Sequence, residues 1–183
     1  MTQTADRYRR LTDRFTSLIE VVPADRWSAP SPCEGWTAQG VLDHVVSTEA
    51  GMYARMPFAT DLAIEGVDSL DAWPRVRDAV QGALDDPSCA GTEYEGMFGT
   101  TTFAATIDQF FCLDLVVHAW DLARAAGLRE FEPMPPEEVD AVAKALEPIA
   151  DSMRMPGVFG PAVDVPDDAD AQTKLLAQVG RRA

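Results

Sequence analysis

The chain has 183 residues, of which 46% are hydrophobic and 25% charged, and this composition is typical of a globular protein and excludes a disordered or collagen-like chain. The 30 acidic residues outnumber the 15 basic residues, which gives a formal net charge of −15. Such a field repels phosphate backbones and anionic lipids, so we expect neither a nucleic-acid partner nor a membrane partner.

The cysteines and the N-terminus indicate the cellular compartment. Cys33, Cys89 and Cys112 are odd in number, widely spaced and without a C-x-x-C pair, which argues against a disulfide framework and a structural zinc site. The N-terminal segment lacks the apolar centre of a signal peptide, and no apolar run is long enough to cross a bilayer. These features predict a cytoplasmic protein.

Apolar periodicity and helix stop signals predict a mainly helical chain. The first helix is expected to end before Pro23, and Thr37 is expected to cap the second helix, which ends before Pro57. Pro74 in the third helix is tolerated only near its first turn. Gly127 ends a fourth helix that is apolar on nearly every side. The predicted helices cover residues 5–22, 37–54, 67–84, 103–126 and 136–153.

The remaining segments connect these helices or end the chain. Residues 88–102 are rich in Gly and Thr, and they predict a loop or a short hairpin that acts as a lid or a connector. The tail predicts an extended stretch and a last short helix after Asp167 or Asp168. No repeat or interdomain linker is evident, so we expect one all-α domain over residues 1–183.

Only two histidines are present, His44 and His118, and both lie in apolar helical segments. Asp114 precedes His118 by four residues and Asp121 follows it by three, so these three side chains project from one stripe of the fourth helix. A carboxylate and an imidazole on a buried face cost several kcal/mol unless they are paired or coordinated. The pattern therefore predicts a compensating partner inside the bundle.

Two arrangements supply such a partner. In the first, Asp114 and His118 bond to each other, and His44 bonds to a backbone carbonyl. In the second, His44, Asp114 and His118 hold a metal ion, because helix bundles assemble metal sites from inward side chains of facing helices. Two imidazole nitrogens and one carboxylate oxygen suit Zn²⁺ in an open site, and also non-haem Fe(II). Asp121 then either orients the His118 ring or pairs with Arg124 at the surface.

Three segments together resemble a known family. They are WSAPSPCEGWTAQGVLDHVV, DLVVHAWDLARAAG and FGPAVDVPDDADAQTKLLAQVGR. The first contains P-C-x-G-W-T with His44 eight residues after the Trp, and the second contains D-x-x-x-H-x-W-D-L-A. The chain resembles the mycothiol-dependent maleylpyruvate isomerase-like metal-binding proteins, a branch of the DinB-like four-helix-bundle superfamily.

This resemblance implies a four-helix bundle with an additional C-terminal helix and tail, whose core binds one divalent cation. The family's ligand positions match His44, Asp114 and His118, although the isomerase itself has Glu at the position of Asp114. Zinc is the expected ion, with nickel, iron and manganese as alternatives. The implied activity is that of a transferase or isomerase in which the cation activates a low-molecular-weight thiol, mycothiol, toward an electrophilic substrate. The sequence identifies no general base.

Two other functions are compatible with the same three ligands. A cation that activates water would give a hydrolase. A bundle that binds a metal or a ligand without catalysis is the alternative outside the enzymes. Related bundles often pair, so the resemblance is also compatible with a homodimer, although no apolar stripe in the sequence identifies its interface.

Several further side chains have two interpretations. Cys33 precedes the second helix and is either a reactive thiolate or a packing residue, and packing is favoured because the local sequence offers no cation. Trp120 is expected in the core, whereas Trp36 is expected either in the core or at a pocket. Four N-terminal arginines either recognise a carboxylate-bearing thiol or, as we expect, balance the acidic surface; they are Arg7, Arg9, Arg10 and Arg14.

Overall fold

The computed structural model describes residues 2–150, 154 and 159–183. Over these residues the protein is mainly helical, with one antiparallel two-stranded hairpin, which confirms the predicted all-α fold. The elements are α1 (Gln3–Val21), α2 (Ala38–Ala54), α3 (Ser69–Asp85), α4 (Pro87–Ala90), β1 (Glu93–Gly96), β2 (Gly99–Thr102), α5 (Phe103–Thr106), α6 (Cys112–Ala126), α7 (Pro136–Leu146) and α8 (Ala171–Gln178).

Four helices form the bundle. Helix α1 packs against α3 and α6, and α2 packs against the same two helices from the other side. Their apolar faces meet in one core in which Phe15, Leu42, Val80 and Leu122 are buried. Helices α7 and α8 pack against each other as the C-terminal addition. The predicted four-helix bundle with a further helix and tail is therefore confirmed.

Side-chain caps explain where several helices begin. The hydroxyl of Thr37 accepts a hydrogen bond from the backbone N–H of Gly40 at 3.1 Å, as the sequence predicts for α2. Asp170 caps α8 by accepting from the N–H of Thr173 at 2.9 Å. The last helix therefore begins a few residues later than expected, because Asp170 and not Asp167 or Asp168 supplies the cap.

Residues 67–102 contain two unpredicted details, the later start of α3 and the short helix α4, whereas the hairpin is one of the two predicted alternatives. Helix α3 begins at Ser69, so Pro74 lies in its second turn and removes one backbone hydrogen bond there. Residues 88–102 complete the short helix α4 and form a hairpin, in which Gly96 pairs with Gly99. Phe98 at the hairpin tip stacks on Phe110, with ring centroids 6.2 Å apart.

The helix predicted over residues 103–126 is continuous but not uniform. Between α5 and α6 it contains a π-helical segment, Ile107–Phe111, and π segments are frequent at functional sites. Within α6 only Asp114 and Arg124 escape burial, and Gly127 ends the helix with a φ of 76°. Neighbouring helices cover this apolar surface. In the described part of the chain, no helix combines the length and apolarity that crossing a membrane requires.

The C-terminal tail returns to the bundle after α7. Pro136 begins α7 as predicted, the helix ends at Leu146, and the expected end near Met153 lies outside the described residues. The N–H of Val163 bonds to the carbonyl of Ala177 at 2.9 Å. Gly180 has a φ of +84°, and a Cβ there would lie 2.9 Å from the Cα of Gly160. Only glycine fits this crossing, which directs the last residues toward α6.

We expect Gly180→Ala to lower the free energy of unfolding of the metal-free protein by about 1–3 kcal/mol, because alanine is strained at this φ and its Cβ meets the backbone of Gly160. Gly51→Ala is the matched control. Gly51 lies within α2 with open space around it, so alanine there should stabilise the protein by about 0.5–1 kcal/mol. Chemical denaturation measures both changes. Equal stability of Gly180→Ala and wild type would contradict the tight crossing.

Candidate metal centre

The structure brings the three predicted ligands together. His44 lies on α2 and Asp114 and His118 lie on α6, and these two helices are neighbours in the bundle. Nε2 of His44 is 3.3 Å from Oδ2 of Asp114, and Nε2 of His118 is 3.8 Å from Oδ1 of Asp114. All three ligand atoms lie within 4.8 Å of one another. The side chain of His44 therefore contacts Asp114. In the predicted arrangement without a metal ion, it would bond to a backbone carbonyl instead.

The chemistry of these donors fits a divalent cation. Two imidazole nitrogens and a carboxylate oxygen suit zinc and the other first-row metals that accept mixed N and O ligands. The side chains of His44 and Asp114 are 24% and 31% exposed, so an ion can reach them from the solvent. His118 is buried at the inner end of the group. The arrangement is open, which is typical of catalytic rather than structural metal sites.

Asp121 orients the ring of His118. Its Oδ2 lies 3.0 Å from Nδ1 of His118, and its side chain has no exposed surface. Arg124, the alternative partner of Asp121, bonds instead to Glu132 at 2.7 Å. With Nδ1–H donating to Asp121, the Nε2 side of the ring is left for Asp114 or a cation. Of the two predictions for Asp121, contact with His118 is therefore observed and pairing with Arg124 is not.

Arg181 completes this group, and the sequence analysis missed it. Its Nη2 donates to Oδ2 of Asp121 at 3.0 Å, and its Nε donates to Oδ1 at 3.3 Å. The side chain is 6% exposed, although it is the third residue from the end of the sequence. A terminal arginine after a short helix is typical of a solvated tail. No local sequence signal could have located it.

These contacts shift the pKa values of the group. Burial lowers the pKa of His118, but the hydrogen bond to Asp121, the contact with Cys33 and the nearby carboxylates outweigh burial and raise it to about 10. Burial raises the pKa of Asp121, and the opposing effect of His118 and Arg181 brings it below its usual range. In the metal-free protein at neutral pH, His118 is therefore protonated beside an ionised Asp121.

Trp36 and Trp120 have different surroundings. The ring of Trp36 lies against both histidines, with centroids 4.7 Å from His44 and 5.8 Å from His118. It therefore lies at the pocket, one of the two places that the sequence left open. Trp120 is 1% exposed and belongs to the core, as predicted.

Cys33 contacts the same buried group. Nη2 of Arg181 lies 2.6 Å from its Sγ, which is also 3.5 Å from Oδ2 of Asp121. The sequence favoured a packing role because no cation is close in the chain, whereas the structure supplies one from 148 positions away. Cys33, His118 and Asp121 also lie close enough to share an ion, but Arg181 already compensates the carboxylate there.

The N-terminal arginines take no part in this site. Arg7 pairs with Asp108 and Glu138, and Arg9 pairs with Asp6 and Asp85. Arg10 lies 4.0 Å from Glu138, and Arg14 donates to the backbone carbonyls of Phe131 and Pro133. Arg9 thus meets surface acids as expected, whereas Arg7 and Arg10 lie at the buried Glu138 and Arg14 contacts carbonyl oxygens instead of acids.

A pocket of about 800 Å³ opens onto the three candidate ligands. Its size and mainly apolar lining are typical of sites for small organic molecules. The loop before α2, the face of α6 and the C-terminal tail all contribute to it. Besides the ligands, it is lined by Pro32, Cys33, Glu34, Trp36, Phe110, Leu113, Val117, Leu146, Ile149, Arg154, Phe159, Gly160, Pro161, Gly180 and Arg181.

Fold and donor set together define a helical bundle with a candidate metal centre at the base of a mainly apolar pocket. The family model of the mycothiol maleylpyruvate isomerase N-terminal domain matches residues 8–65 of the chain, which confirms the resemblance. The match includes His44 and ends before Asp114 and His118.

Two relatives are similar over nearly the whole chain. They are the uncharacterized protein MT0763 of Mycobacterium tuberculosis (strain CDC 1551 / Oshkosh) and the uncharacterized protein Rv0738 of Mycobacterium tuberculosis (strain ATCC 25618 / H37Rv). Each is 28% identical over 181 residues, which cover 95% of this chain and 95% of the relative. No solved structure matches the chain significantly.

The protonated state of His118 predicts a pH-dependent metal affinity. A cation at Nε2 must displace the proton that His118 retains up to a pKa of about 10. Because lower pH favours the proton, apparent zinc affinity should rise about tenfold per pH unit from about pH 7 to 8.5. Competition against a chromophoric chelator at constant ionic strength measures it. An affinity that is independent of pH in this range would contradict displacement of a proton from His118 by the cation.

Proposed function

We propose that the protein is a metal- and thiol-dependent transferase or isomerase that acts on an electrophilic small molecule. The observation that carries this proposal is the meeting of His44, Asp114 and His118 at the base of a pocket large enough for an organic ligand. The family match over residues 8–65 favours mycothiol as the thiol. Zinc is the proposed ion, because two imidazoles and a carboxylate in an open site are a zinc donor set.

His44, Asp114 and His118 are the residues that would hold the ion. When bound, a divalent cation lowers the pKa of a coordinated thiol or water, so that a nucleophile is available at neutral pH. Asp121 accepts a hydrogen bond from Nδ1–H of His118 and thereby keeps Nε2 directed toward the other ligands. Trp36 packs against both imidazole rings and restricts their rotation. The chain thus fixes ligand geometry before the ion binds.

The walls of the pocket position the substrate. Phe110, Leu113 and Val117 lie along the π segment and α6, beside Asp114. Apolar side chains at this place suit the carbon skeleton of an organic molecule. We place the thiol-dependent reaction ahead of a hydrolase that uses the same ligands because the matching family model is that of a mycothiol-dependent isomerase domain.

Natively purified protein should contain about one divalent ion per chain, as measured by elemental analysis. Substituting Ala for His44, Asp114 or His118 should reduce zinc affinity at least 100-fold, because each substitution removes one of three ligands. Asp43→Ala is the matched control, since Asp43 precedes His44 on α2 and bonds to Gln39 and Ser69 instead. Unchanged metal content in the three ligand variants would contradict the site.

Turnover of an electrophile should require both the thiol and the cation. The assay uses a panel of small electrophiles with mycothiol, with and without zinc, and compares wild type with His118→Ala. Consumption of the electrophile should fall to the uncatalysed rate when any one component is withheld. Turnover without thiol would indicate the hydrolase, and ligand binding without turnover across the panel would indicate a non-catalytic bundle.

A further inference from the structure

The buried carboxylate of Asp121 connects the candidate metal centre to the C-terminal tail. Its Oδ2 accepts from Nδ1 of His118 at 3.0 Å, and both of its oxygens accept from Arg181. Asp121 has no exposed surface, and His118 and Arg181 are 7% and 6% exposed at their side chains. These three side chains therefore form one buried, hydrogen-bonded series from the last residues of the sequence to the imidazole.

Arg181 contributes the permanent charge in this series. Within the described residues, the other side chains that contact Asp121 are His118 and Cys33, and both can exist as neutral groups. A guanidinium stays protonated in proteins and forms two parallel bonds to a carboxylate. Without it, Oδ1 of the fully buried Asp121 would lose the donor that Arg181 provides, and an unpaired buried carboxylate oxygen is strongly unfavourable. Arg181 thus holds the carboxylate in the orientation in which Oδ2 accepts from His118.

The tail holds this guanidinium in place. The N–H of Arg181 donates to the carbonyl of Leu176 at 2.8 Å, and its Nη1 donates to the carbonyl of Val179 at 2.7 Å. The crossing of Gly180 over Gly160 fixes the backbone immediately before it. The position of the guanidinium therefore depends on the docking of residues 159–181. If the tail were undocked, the guanidinium would no longer contact Asp121.

We infer that Arg181 is a positioning residue of the metal centre: it holds Asp121 against His118, so that docking of the C-terminal tail and binding of a cation stabilise each other. The inference rests on the proposed function for the cation itself. Because the coupling is a free energy between two sites, it acts in both directions. A docked tail strengthens cation binding, and a bound cation stabilises the docked tail.

Zinc affinity of Arg181 variants is the first measurement. Arg181→Met keeps the length of the side chain without its charge, and it should weaken zinc binding on the order of 10- to 100-fold, as loss of a residue that orients a metal ligand does. Arg181→Lys restores the charge without the two-bond geometry and should recover part of this loss. Arg182→Met is the matched control, because the neighbouring Arg182 is exposed and should bind zinc as wild type does.

Hydrogen exchange measures the reverse direction. Zinc should slow amide exchange over α8 in wild type and in Arg182→Met. It should have no such effect in Arg181→Met or in His118→Ala. Circular dichroism and thermal unfolding of each metal-free variant show whether the bundle is intact. If Arg181→Met does not fold, Arg181→Lys alone tests the coupling, through a zinc affinity between that of wild type and that of His118→Ala.

A metal-free measurement separates this inference from the proposed function. In wild type the Nδ1 proton of His118 is buried against Asp121 and should give a slowly exchanging NMR signal, which should be lost in Arg181→Met. Wild-type zinc affinity and an intact Nδ1 signal in Arg181→Met would overturn the inference. If wild type binds no cation, the proposed function fails, and the coupling fails with it; loss of the Nδ1 signal would then still show that Arg181 positions the ring.

Discussion

A fully buried carboxylate needs opposing charge, and the arrangement around Asp121 follows from that need. His118 supplies one hydrogen bond from within α6, and Arg181 supplies two from the tail. The hydrogen bond at Nδ1 leaves the Nε2 edge of the imidazole directed toward the pocket. The contact with Arg181 attaches the end of the chain to the bundle. Removing the carboxylate would leave both a misplaced ring and an uncompensated guanidinium.

The proposed cation site does not depend on a cluster of exposed acids. Most of the 30 acidic residues that give the net charge of −15 lie on solvated surfaces or cap helices, as Asp170 does. Asp114 differs because it is half-buried on α6, between the Nε2 atoms of two imidazoles. The proposed cation would be held by these neighbouring donor atoms.

Sequence reasoning predicted the features that depend on neighbours in the chain. Helical periodicity and caps such as Thr37 gave most helix boundaries, and the scarcity of histidine drew attention to His44 and His118. Features that depend on distant residues were missed or misjudged. Arg181 contacts Asp121 across 60 positions and Cys33 across 148, and no local pattern indicates either contact. The π segment was missed because it depends on packing. The cap at Asp170 was missed because Asp167 and Asp168 are equally suitable capping residues by sequence alone.

The most direct test of a cation held between α2 and α6 is anomalous diffraction from a zinc-soaked crystal, with data on both sides of the zinc absorption edge. We predict one strong anomalous peak per chain, within coordination distance of Nε2 of His44, Nε2 of His118 and a carboxylate oxygen of Asp114. A zinc-saturated crystal with no peak between these three side chains, or with a peak elsewhere only, would contradict this assignment.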